Sequence, residues 1–310
     1  MTNKIAVVIP THNRNSDLKK AVDSVLAQTK LPNELIVIDD GSTPPVTKEI
    51  FRGASDEIAC RLIRNEVPKG ANHARNLGVT SAEGSFIAFL DDDDEFKEDK
   101  IEMLVDAIDK NTDADVFYHP AEIHMVKEGI VYISKPKNFK PDEDIFRTLL
   151  ISNRIGGTPM VTVRKAALID IGIFDEQMPA LQDYELWLRL AKAGYKFKLI
   201  DRPLTKYHYV TSRSSISKSI AVSLKAIDLI EQKYSLEYSN LSDLEKKQYA
   251  EWKNKKLIHK SLLNGQAFKA FQLQVAQFFS SPGLKHLLAV FAIMLGPKFV
   301  YKIKAVAGRF

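Results

Sequence analysis

Four consecutive carboxylates, Asp91-Asp92-Asp93-Asp94, follow directly on the apolar run Phe86-Ile87-Ala88-Phe89-Leu90. Like charges gathered at the end of a buried strand repel one another, and a divalent cation is the simplest relief. Mg²⁺ and Mn²⁺ take oxygen ligands, typically one or two carboxylates together with substrate phosphates. A solvated acidic turn is the plain alternative for any run of four acids. The preceding strand favours a site, because ligands of open α/β sheets bind beyond the carboxyl ends of the strands. A calcium loop of the EF-hand kind fits the offsets of Asp91, Asp93, Glu95 and Glu102. It fails at the turn, where Phe96 stands in the position that requires glycine.

The elements that must position these acids alternate in type. Residues 4–10 form an apolar run of the kind found in buried parallel strands, and the polar loop Thr11-His12-Asn13-Arg14-Asn15 follows. Ser16 is a candidate N-cap for a helix to about residue 29, with Leu18, Ala21, Val22, Val25 and Leu26 on one face. A second strand over 34–38 stops at Asp39-Asp40-Gly41-Ser42. A short helix near 47–51, a strand over 58–64, a helix over 70–80 and a strand over 85–90 complete a β-α-β-α order. That order predicts a mainly parallel, Rossmann-like sheet flanked by helices, with sharp polar loops at the strand ends where a nucleotide would sit.

Beyond Asp94 the pattern changes. Helices are expected over 99–109, 144–152 and 182–194, and strands over 115–119, 129–133, 159–164, 195–200 and 205–210. From residue 217 onward the chain reads as mostly helical. The expected organisation is a catalytic domain over 1–216, with a nucleotide-binding half to about residue 95 and an acceptor half to 216, followed by a basic helical region over 217–310.

The ordered motifs resemble those of the family 2 glycosyltransferases of the GT-A fold, bacterial enzymes that use nucleotide-diphosphate sugars. The resemblance covers residues 4–217. It rests on Val8-Ile9-Pro10-Thr11-His12-Asn13-Arg14, Ile38-Asp39-Asp40-Gly41-Ser42, Gly70 with Ala74-Arg75-Asn76-Leu77-Gly78, and Leu90 through Asp94. Gly172-Ile173-Phe174-Asp175-Glu176 and Gln182-Asp183-Tyr184-Glu185-Leu186-Trp187-Leu188-Arg189 complete the set. Each is weak alone; the order makes the set specific.

The resemblance implies roles. Pro10, Thr11, His12, Asn13 and Arg14 would lie along the donor nucleoside, with His12 where the family usually has an aromatic. Asp40 would accept from a pyrimidine N3–H, which suits uracil or thymine, although a guanine edge could also donate to it; Asp39 would be structural. Gly70, Arg75, Asp91 and Asp92 would contact the donor. Asp91-x-Asp93 matches the DXD motif, whose carboxylates hold Mn²⁺ or Mg²⁺ against the diphosphate, with Asp93 as the principal ligand. His208 is a further candidate ligand for metal or diphosphate, against a structural role. Asp183 matches the base that takes the acceptor proton in inverting transfer, set against the reading of an acid at a helix N-terminus. Gln182 replaces the acid that commonly precedes it. Gly156-Gly157-Thr158 would either let backbone approach the donor sugar or simply form a turn.

Bulk properties set the frame. The net charge is +5, but ten Lys or Arg against the single acid Glu251 give residues 251–310 a charge of +9, leaving −4 for the first 250. A basic tail on an acidic body points to an anionic surface. The apolar segment from Leu284 to Leu295, followed by Lys298, Lys302 and Lys304, is too short to span a bilayer. It suits a helix lying in a lipid interface, a core helix or a homodimer contact. Nucleic acid is disfavoured, because no basic, aromatic-interleaved module is present. The single Cys60 excludes an internal disulfide, and with no signal-peptide pattern the expected location is the cytoplasm, peripheral to the inner membrane face.

The expected function is therefore inverting, metal-assisted transfer of a sugar, most simply from a UDP-sugar, to a hydroxyl of a glycan or lipid-linked acceptor in surface polysaccharide synthesis. A sugar nucleotidyltransferase would need a glycine-rich phosphate loop, and residues 11–15 contain no glycine. A non-catalytic glycan-binding member of the same fold would not need Asp40, Asp91, Asp93 and Asp183 together.

Overall fold

The computed structural model describes residues 3–209 and 219–307. Its centre is three strands whose every residue is buried: β1 (Ile5–Thr11), β2 (Glu34–Asp40) and, after β3 (Ala59–Asn65), β4 (Phe86–Phe89). Strands buried on both faces read as continuous apolar runs, and these do. Between them lie α1 (Asn15–Leu26), a 3₁₀ turn at Lys48–Phe51 and α2 (Ala71–Ser81).

The chain continues through β5 (Glu95–Phe96), α3 (Lys100–Lys110), β6 (Val116–Tyr118), β7 (Ala121–Met125), β8 (Ile130–Ile133) and α4 (Ile145–Ile151). A 3₁₀ turn at Thr158–Met160 leads into β9 (Val161–Arg164), α5 (Lys165–Asp170), α6 (Gln182–Lys192), β10 (Phe197–Leu199) and β11 (Thr205–Tyr209). Six helices follow: α7 (Ile220–Lys233), α8 (Ser235–Ser239), α9 (Asp243–Leu263), α10 (Ala267–Ser280), α11 (Leu284–Met294) and α12 (Pro297–Ala307).

The main sheet has the order β10-β6-β9-β4-β1-β2-β3. All its pairings are parallel except those of β9, which runs antiparallel to β4 and β6. The strand order reverses at β1, with β2 and β3 on one side and β4 on the other. The carboxyl ends of β1 and β4 therefore flank a crevice at a topological switch point, where ligands of such sheets bind. Thr11 to Arg14 lie at one lip of that crevice and Asp91 to Asp94 at the other. A second sheet, β5-β11-β7-β8, includes β7, a strand that the alternation in Ala121–Met125 was too short to announce.

Two local expectations need correction. Ser16 does not cap α1: the helix begins at Asn15, with Arg14 in the cap position and no side-chain cap bond. Asn13 turns the chain at φ 55°, held there because its side chain accepts from Thr43 N–H (2.7 Å) and its own N–H donates to Ser42 Oγ (2.9 Å). These contacts to the neighbouring loop override the local capping preference. Cys60, which the run Ile58-Ala59-Cys60-Arg61-Leu62-Ile63 leads one to expect as a buried, inert thiol, is only half-buried, although burial still raises its thiol pKa. Residues 210 and 217–218 of the expected strand and tail lie outside the described residues.

Close packing of α2 on β1 depends on Gly78, where an added Cβ would come 2.3 Å from Val8 Cγ1. The same helix explains two motifs at once. Asn72 donates to the carbonyls of Asp175 and Met178, and Asn76 both donates to Phe174 O and accepts from Phe174 N–H. The Gly172–Glu176 segment is thereby clamped onto α2.

The C-terminal helices are not a loose appendage. The principal core runs from Val8 and Ile36 through Leu186 and Trp187 to Ile227, Tyr234, Leu263 and Tyr301. Arg147 on α4 pairs with Glu245 on α9, and the fully buried Glu185 of α6 accepts from both Arg189 and Lys233 of α7. Ser242 and Glu245 form a capping box that starts α9.

Candidate functional site

The four acids do not behave alike. A turn closed by Asp94 N–H to Asp91 O (3.1 Å) aims alternate side chains in opposite directions. The side chains of Asp91 and Asp93 remain 25% and 32% exposed, on the crevice, while those of Asp92 and Asp94 are 8% and 2% exposed. Asp92 is turned back onto the first loop, where it accepts from Thr11 Oγ1 (2.8 Å) and Arg14 (3.0 Å). Burial raises it to about 6, with Arg14 opposing and Asp93 adding to the rise. Asp94 accepts from His208 N–H (2.8 Å). Its pKa lies well above the usual carboxylate range, because it is buried among its acidic neighbours.

The two open carboxylates each face a cation. Asp91 accepts from Arg75 (2.6 Å), with Thr158 Oγ1 at 3.5 Å, and Asp93 accepts from Arg14 (2.8 Å). Arg75 is itself buried, and its Nε and Nη1 have no hydrogen-bond partner. Burial and the charge of Asp91 raise the pKa of Asp93.

The nucleoside end of the crevice is built by the loops after β1 and β2. Asp40 accepts from Asn65 Nδ2, Lys69 N–H and Gly70 N–H at 2.7–3.1 Å. Lys69 N–H reaches both carboxylate oxygens, so each oxygen accepts two contacts. Gly70 takes φ 97°, a conformation that suits glycine and lets its N–H reach that carboxylate. Asp39 is structural, as expected: burial alone would raise it, but donors from Ser42, Val46 and Arg64 more than offset this and lower its pKa. His12 is exposed and donates from Nδ1 to Asp40 O (2.7 Å), which leaves Nε2 to accept from Asn13 (2.8 Å). Pro10 is buried within β1.

Asp183 opens α6. It follows Leu181, held at φ 54°, and its Oδ1 accepts from Tyr184 N–H (2.8 Å). Solvent still reaches it, but protein surrounds it closely enough that burial raises its pKa, against the opposing charge of Lys256. Gly157 lies beside it: a Cβ there would stand 3.6 Å from Asp183 Oδ2. Residues 156–158 thus bridge Asp183 and Asp91, with Trp187 Nε1 donating to Gly156 O (3.1 Å) to fix the turn.

His208 is not brought to the open pair. Its Nδ1 meets the backbone carbonyl of Asp93 (3.1 Å), its Nε2 is 3.6 Å from Glu95, and its ring lies 5.0 Å from that of His124. Among the described residues, no group of three or more His, Cys, Asp or Glu side chains is placed to hold a metal ion. His208, expected as a candidate ligand for metal or diphosphate against a structural role, thus has its ring set on the Asp93 backbone carbonyl.

Two residues escaped the sequence reading. Lys100 is fully buried, donates to Pro159 O (2.8 Å) and Thr205 Oγ1 (3.1 Å), and sits 3.6 Å from the Phe96 ring centroid. It lies behind the acidic turn as a countercharge to Asp94. Lys256, from the middle of α9, is the cation that faces Asp183. In sequence it is one lysine in a basic tail, and nothing local separates it from its exposed neighbour Lys255.

With this geometry in view, likeness to known proteins can be placed on it. Residues 6–172 match the model of glycosyl transferase family 2, more than half of the chain. The chain is a family 2 glycosyltransferase. An uncharacterized glycosyltransferase of Haemophilus influenzae is 30% identical over 306 residues, covering 97% of this chain and 98% of that one. The amylovoran biosynthesis glycosyltransferase AmsB of Erwinia amylovora is 27% identical, over 70% of this chain and 73% of its own. WfgD of Escherichia coli, named a UDP-Glc:alpha-D-GlcNAc-diphosphoundecaprenol beta-1,3-glucosyltransferase, is 29% identical over 71% and 82%. TarS of S. aureus, residues 1–349 in complex with UDP-GlcNAc, shares the fold with a TM-score of 0.60, covering 90% of this chain and 82% of that one at 19% identity. The family 2 glycosyltransferase thus has the expected GT-A architecture. Its matched span ends before Asp183, while the Haemophilus relative extends the likeness through the C-terminal helices.

Proposed function

We propose that the enzyme transfers a hexosyl or N-acetylhexosaminyl group from a UDP-sugar, with inversion, to a hydroxyl of a lipid-linked or growing polysaccharide acceptor. The observation that carries this is the alternation in the acidic turn: Asp91 and Asp93 open on the switch-point crevice while Asp92 and Asp94 are closed, with Asp183 reached from the same crevice through residues 156–158. The glucosyltransferase and amylovoran relatives support the acceptor class.

Mn²⁺ or Mg²⁺ fits the open pair. Two carboxylates on one turn, without a third protein ligand, are the donor set expected of a hard cation that also binds phosphate oxygens and water. When bound, the ion would neutralise charge developing on the departing diphosphate. Asp93 is the principal holder, with Asp91 beside it, and the Arg75 guanidinium that pairs with Asp91 would lie near the phosphate oxygens. Arg14 and Asp92 hold the first loop against the acidic turn, so Asp92 acts by positioning Thr11 and Arg14 rather than through the donor. Asp40 accepts from the uracil N3–H, and His12 stacks beside the base. Asp183 accepts the proton of the acceptor hydroxyl as that oxygen attacks the anomeric carbon. Calorimetric titration with UDP, GDP and dTDP, with and without Mn²⁺, tests the reading. Micromolar UDP binding that needs metal is expected; metal-independent binding, or a preference for GDP, would overturn the donor assignment.

We also propose peripheral binding to the inner membrane face through α11 and α12. No helix among the described residues is long and apolar enough to cross a membrane. Leu284, Leu288, Phe291, Met294, Phe299 and Ile303 are nevertheless 40–71% exposed, interleaved with Lys285, Lys298 and Lys302. Large apolar side chains beside lysines match an anionic lipid interface. Co-sedimentation with vesicles containing 30 mol% anionic phospholipid, a fraction chosen as roughly that of an anionic leaflet, should fall at least tenfold for Phe291→Asp. Undiminished sedimentation, or dimerisation through this face instead, would overturn the assignment.

A further inference from the structure

We infer that the inner face of α9, closed by α12, is a binding site for a phosphate or diphosphate group carried by the acceptor. Lys256, His259 and Lys260 lie at spacings i, i+3 and i+4, on one face of α9. Like charges so placed repel, and a helix face that points at a protein interior would ordinarily supply acids to match them. Here few acids face them: Asp183 stands opposite Lys256 and Lys260, and Glu128 faces Tyr301. Lys253 and Lys255, which flank that face at i−3 and i−1 from Lys256, pair with Glu231 (2.8 Å) and Glu251 (3.9 Å). Among the described residues, Lys256, Lys260 and, across from them on α12, Lys304 have no carboxylate within ion-pair distance. Lys260 is buried and donates only to the Ser223 hydroxyl.

The donors that remain are unsatisfied. The His259 ring lies 5.5 Å from that of Tyr209 and 6.0 Å from that of Tyr301. Its Nδ1 and the hydroxyl of the fully buried Tyr301 are both without a partner. Orphaned buried polar groups flanked by three cations are what an anion site looks like before its anion arrives. Burial holds Lys260 down to about 8 and, together with the lysines, keeps His259 neutral. Glu128, whose Oε2 is likewise buried without a partner, faces Tyr301.

Position selects the ligand. Lys256 and Lys260 both face Asp183, so a phosphate held here would lie on the acceptor side of that carboxylate. Lys304 adjoins Ile303, which is exposed on the apolar face of α12. A diphosphate whose tail is apolar would therefore find its charge and its chain on adjacent surfaces. The inference rests on Asp183 as the acceptor-side base.

The test uses the full chain saturated with UDP in excess Mg²⁺, so that donor-side phosphate contacts are occupied. Geranyl diphosphate and inorganic pyrophosphate are then titrated in, followed by Trp fluorescence, since Trp252 lies beneath Lys256 at 5.4 Å. Binding to the wild type should weaken at least tenfold in Lys256→Gln/Lys260→Gln and less than twofold in Lys253→Gln/Lys255→Gln, which carries the same charge change. UDP affinity should stay within twofold in both variants, and the thermal midpoint of the first should not fall, because mutually repelling cations are being removed. A tenfold preference for geranyl diphosphate assigns a lipid-linked acceptor; equal affinity assigns a soluble phosphorylated one. Equal weakening in both variants, or joint loss of UDP binding, overturns the site. Wild-type protein that binds UDP but neither diphosphate also overturns it and leaves the donor reading standing. Failure to bind UDP overturns the donor reading instead.

Discussion

Asp183→Asn should reduce transfer by about 10²–10⁴-fold, the usual contribution of a positioned general base, while leaving UDP affinity unchanged. The amide keeps the size of the carboxylate and its acceptor bond from Tyr184 N–H, so the first turn of α6 is preserved. What it removes is the ability to take a proton. The pH profile separates this from a structural effect. Burial raises the pKa of Asp183, so the carboxylate is ionised only above that raised value. In the wild type, kcat/KM should therefore climb with pH along an acid limb lying above the ordinary aspartate value of about 3.9, and fall as pH drops through it. In the asparagine variant that limb should vanish. Transfer at wild-type rate in the variant, or an unchanged limb, would move the base to another residue.

Asp93→Ala should abolish the gain in UDP affinity that Mn²⁺ gives and lower turnover by about 10²–10³-fold, the scale of losing one electrostatic contact to a developing anion. Asp92→Asn provides the contrast. Its carboxylate is closed against Thr11 and Arg14, so the substitution should loosen the first loop and weaken nucleotide binding with and without metal alike. Calorimetry of both variants, each with and without Mn²⁺, reads the difference directly. If Asp92→Asn loses the metal response and Asp93→Ala keeps it, the turn has been assigned in the wrong register.

The acidic turn shows how far sequence and structure each reach. The sequence carries four equivalent letters at the end of an apolar run, and only a resemblance to known motifs singles out the first and third. The folded turn makes the distinction physically, since a bond from Asp94 N–H to Asp91 O sends alternate side chains to opposite sides. Likewise, His208 falls near the acids along the topology, but the direction in which β11 delivers its ring is a property of the second sheet, and it delivers it to the Asp93 carbonyl. The Asn72 and Asn76 clamp on Phe174, Asp175 and Met178 joins motifs about a hundred residues apart, a relation that no local pattern contains.

What the sequence by itself determined was the central sheet, the order of its loops and the family. Continuous apolar runs bounded by turn residues suit strands buried on both faces, and short βα connections force their polar loops to one edge. What only the tertiary structure decided was which charges meet. Lys256 faces Asp183, Lys100 is buried behind the acidic turn, and Lys253 and Lys255 pair with acids of their own. Ionic partners are set by distance through space, which depends on how α9 docks on α4 and α6, and a run of lysines in a basic tail records none of that.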